Sequence, residues 1–550
     1  MRYFPLTLAV LVRTIRAITL RDVPAHGGVP AVWCNTQVTF SPSPANARSE
    51  SELEVNPLNA RNFVGASKRF TNPQTYAFTL AAYSTFDAGE TWTEAAPLVL
   101  LGDADPNKAW SGISDPAIAW DDAGNCYLAA LPFPGPSSPF STLGIAVYRS
   151  TDGGLTWSPP NFIHKSTGDD KQWATSDRTP TSRFFGRVYL AWDDGSSLAF
   201  ARTTDRGATW RGVGTQPVGS PLAFDSFSPS ISVSADGTVS IFWIAGNTIK
   251  AVLSTDGGDS FSAPQVVASG LTTLSVLPAP GGFPELPGGI FRVLTLPTSA
   301  PGAGRRLVVA WSDYREGAAR IYYRTSPDGG ATWVGPTSGQ PLLPSSLTGG
   351  DHHDFHPQLN STPQGAVACA FYDFGAKWTG GPKLIDVLIA TSHDGGATFS
   401  ELERVTNRAW DPTVDAPLSH GDPRTTFIGD YFGLGSGPNA FYPFWTDTRT
   451  GIQEIFCGKK MRVGPWNGVQ FTGRVAANTS HRWFTWGWPA CWHVAWTVVP
   501  TSPAPGAPQI RWRVQVERAD AGHITYRLLI TNLTDRDVDI EARYTIFAAD

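Results

Sequence analysis

An all-β fold built from repeated sheets is what this sequence predicts, on three observations. The segment Ser150–Trp157, STDGGLTW, occurs in six versions along 550 residues. Between the copies lie short stretches in which apolar and polar residues alternate, the period-2 pattern of strands. The composition is rich in turn formers, 55 Gly and 45 Pro, and in strand-favouring aromatics, 21 of them Trp, while no long amphipathic helical pattern stands out.

The other copies begin at Thr85, Thr203, Ser254, Ser326 and Ser392. Their aspartates, Asp87, Asp152, Asp205, Asp256, Asp328 and Asp394, are spaced by about 50 to 70 residues, an interval typical of units that pack on their neighbours. Within each copy the Asp accepts backbone amide bonds, the following Gly permits positive φ, and the terminal Trp or Phe plugs an apolar layer. The pattern Ser/Thr-x-Asp-x-Gly-x-Thr-Trp resembles the Asp-box, or bacterial neuraminidase repeat, of sialidase-like β-propellers. That resemblance implies a structural turn away from any active site, so the six aspartates are expected to be structural.

The stretches around the boxes give the rest of each unit. Gly186–Asp193 and Leu198–Thr203 lead into the third box, Arg306–Asp313 and Arg320–Arg324 into the fifth, and Ala263–Ala268 follows the fourth. Four strands per unit make a propeller blade. A seventh unit lacks a box: Ala440–Asp447 and Gln453–Cys457 match the two preceding strands, but the chain then runs into Lys459 and Lys460. The expectation is a seven-bladed β-propeller over residues 32–460, closed by an N-terminal strand near 36–40, with six blades as the alternative. Residues 461–550 read as a separate antiparallel, β-sandwich-like domain, since 509–516, 524–530 and 538–544 alternate cleanly. Its aromatic run from Trp483 to Trp496 is expected to form that domain's core and its seam with the propeller, with stacking on sugar rings as the alternative.

A formal charge of −5 without a basic block argues against electrostatic nucleic-acid binding. Residues 1–31 read as a leader: Phe4–Val12 is a short apolar run behind Arg2, too short to span a bilayer, and no later segment is a transmembrane candidate. A secreted or extracytoplasmic location is expected. Five scattered cysteines argue against a zinc ribbon or a dense disulfide framework and leave room for one or two bridges.

In a propeller the innermost strands rim a central funnel where ligand sites gather. Several candidate inner strands place an acid at their start: Asp115, Asp170, Asp354 and Asp430. Converging from different blades, these would supply a divalent-cation site, calcium for example, or an acid/base pair; otherwise they cap strands and fix loops. The segment Asp351–His356, DHHDFH, is the densest polar cluster, and in an extended strand His352, Asp354 and His356 share one face. Arg424 could clamp an anion bidentately, and Tyr431 could reach the opening. The candidate catalytic residues are therefore Asp354, His356 and Tyr431, and the candidate ligand-binding residues are Asp115, Asp170, His352, Arg424 and Asp430.

The sialidase resemblance implies an arginine triad, a tyrosine assisted by glutamate, and an acid/base aspartate. The first arginine usually sits in an Arg-Ile/Leu-Pro tripeptide ahead of the first box, and none of Arg2, Arg13, Arg16, Arg21, Arg48, Arg61 and Arg69 is followed by that pattern. The resemblance thus carries the fold and not the catalytic set. The expected function is recognition of a glycan or polysaccharide at the funnel, with no nucleic-acid partner. The alternatives are a hydrolase of exo-sialidase type or a polysaccharide lyase there, and a non-catalytic protein-binding propeller.

Overall fold

A computed structural model describes residues 32–41, 46–100, 110–134, 141–343, 351–376, 382–461, 466–490, 492–519 and 523–547. Residues 1–31, where a leader is expected, and Cys491 lie outside them. The described residues contain no α-helix, and none of their helices is long and apolar enough to cross a membrane. They divide into two compact units: Gln37–Cys457, and the described parts of Pro24–Thr36 with Gly458–Asp550.

The first unit is all-β because each repeat folds locally into an antiparallel meander. In the first sheet the strands Arg48–Val55, Phe63–Asn72, Ala77–Thr85 and Thr93–Glu94 pair in chain order. Five further four-stranded sheets follow the same order, their first strands being Gly112–Trp120, Asp169–Ser176, Phe227–Val233, Thr298–Pro301 and His352–Ser361. The seventh sheet is built from Gly433–Ser436, Phe441–Asp447 and Glu454–Met461, and its outer strand is Val32–Gln37 from the opposite end of the chain. Each first strand lies beside the first strand of the next sheet, and that of the seventh lies beside that of the first.

The six boxes share one hydrogen-bond pattern. The Ser/Thr hydroxyl two residues ahead donates to the box aspartate's Oδ1 at 2.7 to 2.9 Å. The Ser/Thr four residues on donates its amide to Oδ1 and its hydroxyl to Oδ2. Gly89, Gly154, Gly207, Gly258, Gly330 and Gly396 sit at φ between 81° and 93°, where a Cβ is disfavoured. At Asp328, the Thr332 hydroxyl and amide bonds hold the carboxyl down to about 2.

Each box ends in an aromatic that enters the apolar layer between its own sheet and the preceding one. Trp157 packs with Val64 and Leu128, Trp210 with Tyr127 and Val188, Phe261 with Tyr189 and Ile241. Trp333 packs with Phe242 and Trp311, Phe399 with Tyr323 and Phe371. Trp92, from the first sheet, packs against Phe444 of the seventh at 5.5 Å. The seam between the sixth and seventh sheets has no box aromatic, because the seventh repeat has no box. There Tyr372 meets Phe432 at 4.5 Å and Ser436 donates to the Ser361 carbonyl at 2.8 Å.

The second unit holds two three-stranded antiparallel sheets. One orders Trp466–Val475, Val538–Ile546 and Val494–Pro500; the other orders Ser480–Pro489, His523–Asn532 and Ile510–Arg518. Trp488, Trp496, Tyr526, Leu528 and Ile540 form their shared core, with Trp483 and Trp492 packed against it. Cys126 and Cys369 are buried thiols outside any disulfide, so the room the sequence left for bridges is not used at these positions.

Candidate functional site

Five of the seven first strands carry the same irregularity. Each is interrupted by a β-bulge, and in each the first bulged residue has a left-handed backbone although it is not glycine. These residues are Glu50 (φ 50°), Asp115 (54°), Lys171 (54°), Ser228 (52°) and His356 (48°). A left-handed non-glycine residue costs about 1 to 2 kcal/mol and tends to cluster where function requires it. A bulge re-aims the side chain it carries.

Three of these side chains, Glu50, Asp115 and Lys171, meet in the middle of the unit. Six buried groups alternate in sign around a closed ring. Lys68 Nζ lies 2.5 Å from Glu50 and 3.8 Å from Asp115. Lys171 Nζ lies 2.5 Å from Asp430 and 4.0 Å from Asp115. Arg292 reaches Glu50 at 3.8 Å and clasps Asp430 bidentately at 2.7 and 2.8 Å. None of the six side chains is more than 9% exposed. Three cations and three anions thus neutralise one another, as buried charges require. Burial and the neighbouring Asp115 push Glu50 up to about 7. Against the burial that would raise it, Arg292 and Lys171 hold Asp430 far below the usual carboxylate range.

Two long connections supply the groups over this ring. Arg292 comes from the segment between the fourth and fifth sheets; its guanidinium covers Phe427 at 4.2 Å and Phe283 at 4.6 Å. His420 comes from the segment between the sixth and seventh, and stacks on Phe283 with an interplanar angle of 9°. Burial and the Arg292 charge pull His420 down to about 3, leaving its ring neutral.

A cleft opens beside the ring, lined among others by Lys171, Gln172, Trp173, His356, Asp430 and Tyr431. Trp173 and Tyr431 are half-buried and meet edge to face, their centroids 5.6 Å apart. Gln172 donates its amide to the Asp115 carbonyl, while its Oε1 has no hydrogen-bond partner. Neither ring nitrogen of His356 has one either, although the residue is only 3% exposed. Burial pulls His356 down to about 3, so the imidazole is neutral and offers one donor and one acceptor.

The structure therefore brings Asp115, His356, Asp430 and Tyr431 together. Asp170 stands exposed next to Lys171, whose amide it accepts at 2.8 Å. His352 and Asp354 go elsewhere. The bulge after Phe355 breaks the alternation that would align them with His356. His352 Nδ1 pairs with Asp373 at 2.8 Å, and Asp354 lines a different cavity with Glu316, Arg320 and Phe371. Arg424 is 65% exposed and closes on Asp422, two residues away, at 2.6 and 3.0 Å. It is thus occupied by a local partner rather than presented to an anion.

The reading of Asp115 and Asp430 as cation ligands gives way to the ion-pair ring, in which lysine and arginine already occupy that role. Among the described residues one other group has metal-ligand spacing: His164, Asp169 and Asp194 offer ligand atoms within 4.8 Å of one another. Their atoms are engaged internally, His164 with Asp169 at 2.7 Å, Asp169 with the Trp192 indole at 2.9 Å and Asp194 with Ser166 at 2.5 Å.

Sequence reasoning missed Glu50, Lys68, Lys171, Gln172 and Arg292. None of these five is followed by proline, whereas the other three bulged residues are, at Pro116, Pro229 and Pro357, where the unpaired bulge position tolerates a missing N–H.

A family model described as the BNR/Asp-box repeat matches residues 148–159. Among curated proteins, none matches the chain. Solved structures to which it is similar include a variant of the NanB sialidase from Streptococcus pneumoniae, at 13% identity and a TM-score of 0.40 over 61% of this chain and 67% of that one. A leech intramolecular trans-sialidase gives 12%, 0.41, 68% and 70%. A Penicillium chrysogenum α-L-arabinanase gives 14%, 0.37, 78% and 98%. The matched segment is the second of six turns that share one hydrogen-bond pattern, so the turn that the family model describes recurs along the chain.

Proposed function

We propose that the seven sheets are the blades of a closed propeller and that the protein recognises a glycan in the cleft at its centre. The cyclic order of neighbouring first strands, with the seventh beside the first, supports the closure. One observation carries the recognition: the cleft lined by Trp173 and Tyr431 is also lined by Gln172 and His356, whose buried Oε1 and two ring nitrogens have no hydrogen-bond partner. Buried polar atoms without partners are costly and are found where a ligand supplies the missing bonds. A sugar matches both halves of such a wall, with hydroxyls that donate and accept and an apolar ring face that packs on an aromatic.

The test is a glycan array probed with the full chain, followed by calorimetry of the hits with Trp173→Ala and Gln172→Ala. Loss of at least about tenfold in affinity in both variants is expected, the size of one to two lost contacts. An array without hits, or hits bound equally well by both variants, refutes the proposal.

One observation favours hydrolysis as a second reading. Glu50, pushed up to about 7, lies across Arg292 from Asp430, which is held low, and environments that drive two carboxyls apart mark an acid and a base. Turnover of a 4-methylumbelliferyl glycoside by wild type, abolished in Glu50→Gln, would establish it; a panel with the sialoside included and no turnover refutes it.

A further inference from the structure

The second unit has a face of different character. In the strand His523–Asn532, Tyr526, Leu528 and Ile530 turn into the core, so Arg527, Leu529 and Thr531 turn to the opposite side. In register with them, Leu529 stands between Arg482 and Arg513, Thr531 between Ser480 and Arg511, and Arg527 between Phe484 and Gln515. Arg527 is paired with Glu517 at 2.6 Å, whereas Arg482, Arg511 and Arg513 are exposed and have no acidic partner among the described residues.

A bulge takes one of the strand's aromatics off this face. The register shifts between Thr485 and Trp488, with Gly487 at φ 76°, so the strand gains one residue. Trp488 therefore enters the core while Trp486, two positions earlier, stays outside at 75% exposure, beside Phe484 at 62%. The strand thus divides its aromatics: Trp483 and Trp488 pack inward, Phe484 and Trp486 outward.

We propose that this face binds a polyanionic polysaccharide, carboxylated or sulfated, with Phe484 and Trp486 against its sugar rings and Arg482, Arg511 and Arg513 on its anionic groups. The charge is complementary, and the protein's net charge of −5 makes three unpaired arginines on one sheet face a local exception. Their spacing favours a sparsely charged polymer. Arg482 and Arg513 are two strand spacings apart, about 9.5 Å, wider than the phosphate repeat of nucleic acid at about 3.4 Å per strand. The face uses none of the residues that line the central cleft.

The test is affinity electrophoresis of the full chain through gels containing polygalacturonate, chondroitin sulfate or neutral dextran. Retardation is expected with one or both anionic polymers and not with dextran, falling as salt rises. Arg482→Gln/Arg513→Gln and Trp486→Ala each weaken it about tenfold or more with an unchanged melting temperature, while Trp173→Ala leaves it intact. The comparison of the two anionic gels distinguishes carboxylate from sulfate recognition. Equal retardation by dextran, retention in both face variants, loss in Trp173→Ala, or tighter binding of a single-stranded oligonucleotide overturns the proposal. So does sedimentation showing that Trp486→Ala only dissociates a dimer.

Discussion

The box turns and the inner bulges are repeated features of the same sheets, but they repeat different things. The box repeats its residues: Asp, Gly and a terminal aromatic recur because one carboxylate must meet a fixed set of donors and one backbone position must take φ near 90°. The bulge repeats its geometry, with φ between 48° and 54° at five positions, while the side chain changes from Glu to Asp, Lys, Ser and His. Where chemistry is uniform the repeat stabilises the scaffold. Where geometry is uniform and chemistry varies, the repeat delivers different groups to one place.

The largest expected effect comes from breaking the delivered set. Arg292→Met leaves Asp430 buried with Lys171 as its remaining ion-pair partner and should cost about 3 to 5 kcal/mol, read as a shift in the urea midpoint. A midpoint within experimental error of wild type would mean that the ring contributes nothing to the fold.

Next come the boxes against the bulges. In Gly154→Ala the new Cβ would stand 2.4 Å from Val64 Cγ2 at φ 93°, so a loss of about 2 to 3 kcal/mol is expected. Ser228→Gly relieves a left-handed serine and should change stability by less than about 1 kcal/mol, while changing ligand affinity if the bulges serve the cleft. Similar stability losses at the two positions would erase the distinction between them.

The pH profile offers a further test. His356 is held at about 3 when folded and titrates near 6.5 when unfolded, so the unfolded chain binds more protons between those values. Stability from this group is complete above about pH 6.5 and falls as the pH drops towards 3, by about 2 kcal/mol at pH 5. Melting temperatures from pH 7.5 to 5 should therefore decline, and more steeply in wild type than in His356→Gln. Parallel slopes would show that His356 is not buried as a neutral ring.

This contrast explains what the sequence disclosed. The six boxes and the strands of the boxless seventh repeat were legible because turns and strand alternation are local demands on residue type. Asp115, Asp430, His356 and Tyr431 could be picked out as acids or rings at the starts of inner strands. His352 and Asp354 were misaligned with His356, because period-2 counting does not see the bulge after Phe355. Lys68 and Arg292 were invisible, since one lies on a second strand and the other on a long connection that only tertiary structure brings to the centre. Arg424 looked free because its partner Asp422 sits inside the same short motif.

The seventh sheet has a consequence for biosynthesis. Glu454 accepts bonds from Thr39 and Ser41, more than four hundred residues earlier in the chain, and Val38 donates to the Ile455 carbonyl. A ribosome delivers residues in order, so the segment from Val38 to Ser41 must wait through the translation of six complete repeats for its partner. During that interval the nascent protein carries an unsatisfied segment ahead of the first repeat and an uncovered sheet edge at its growing end, the two surfaces most prone to mispairing with another chain. The last step of folding is then the meeting of the earliest and latest strands of the unit, which is slow because of the length of chain between them.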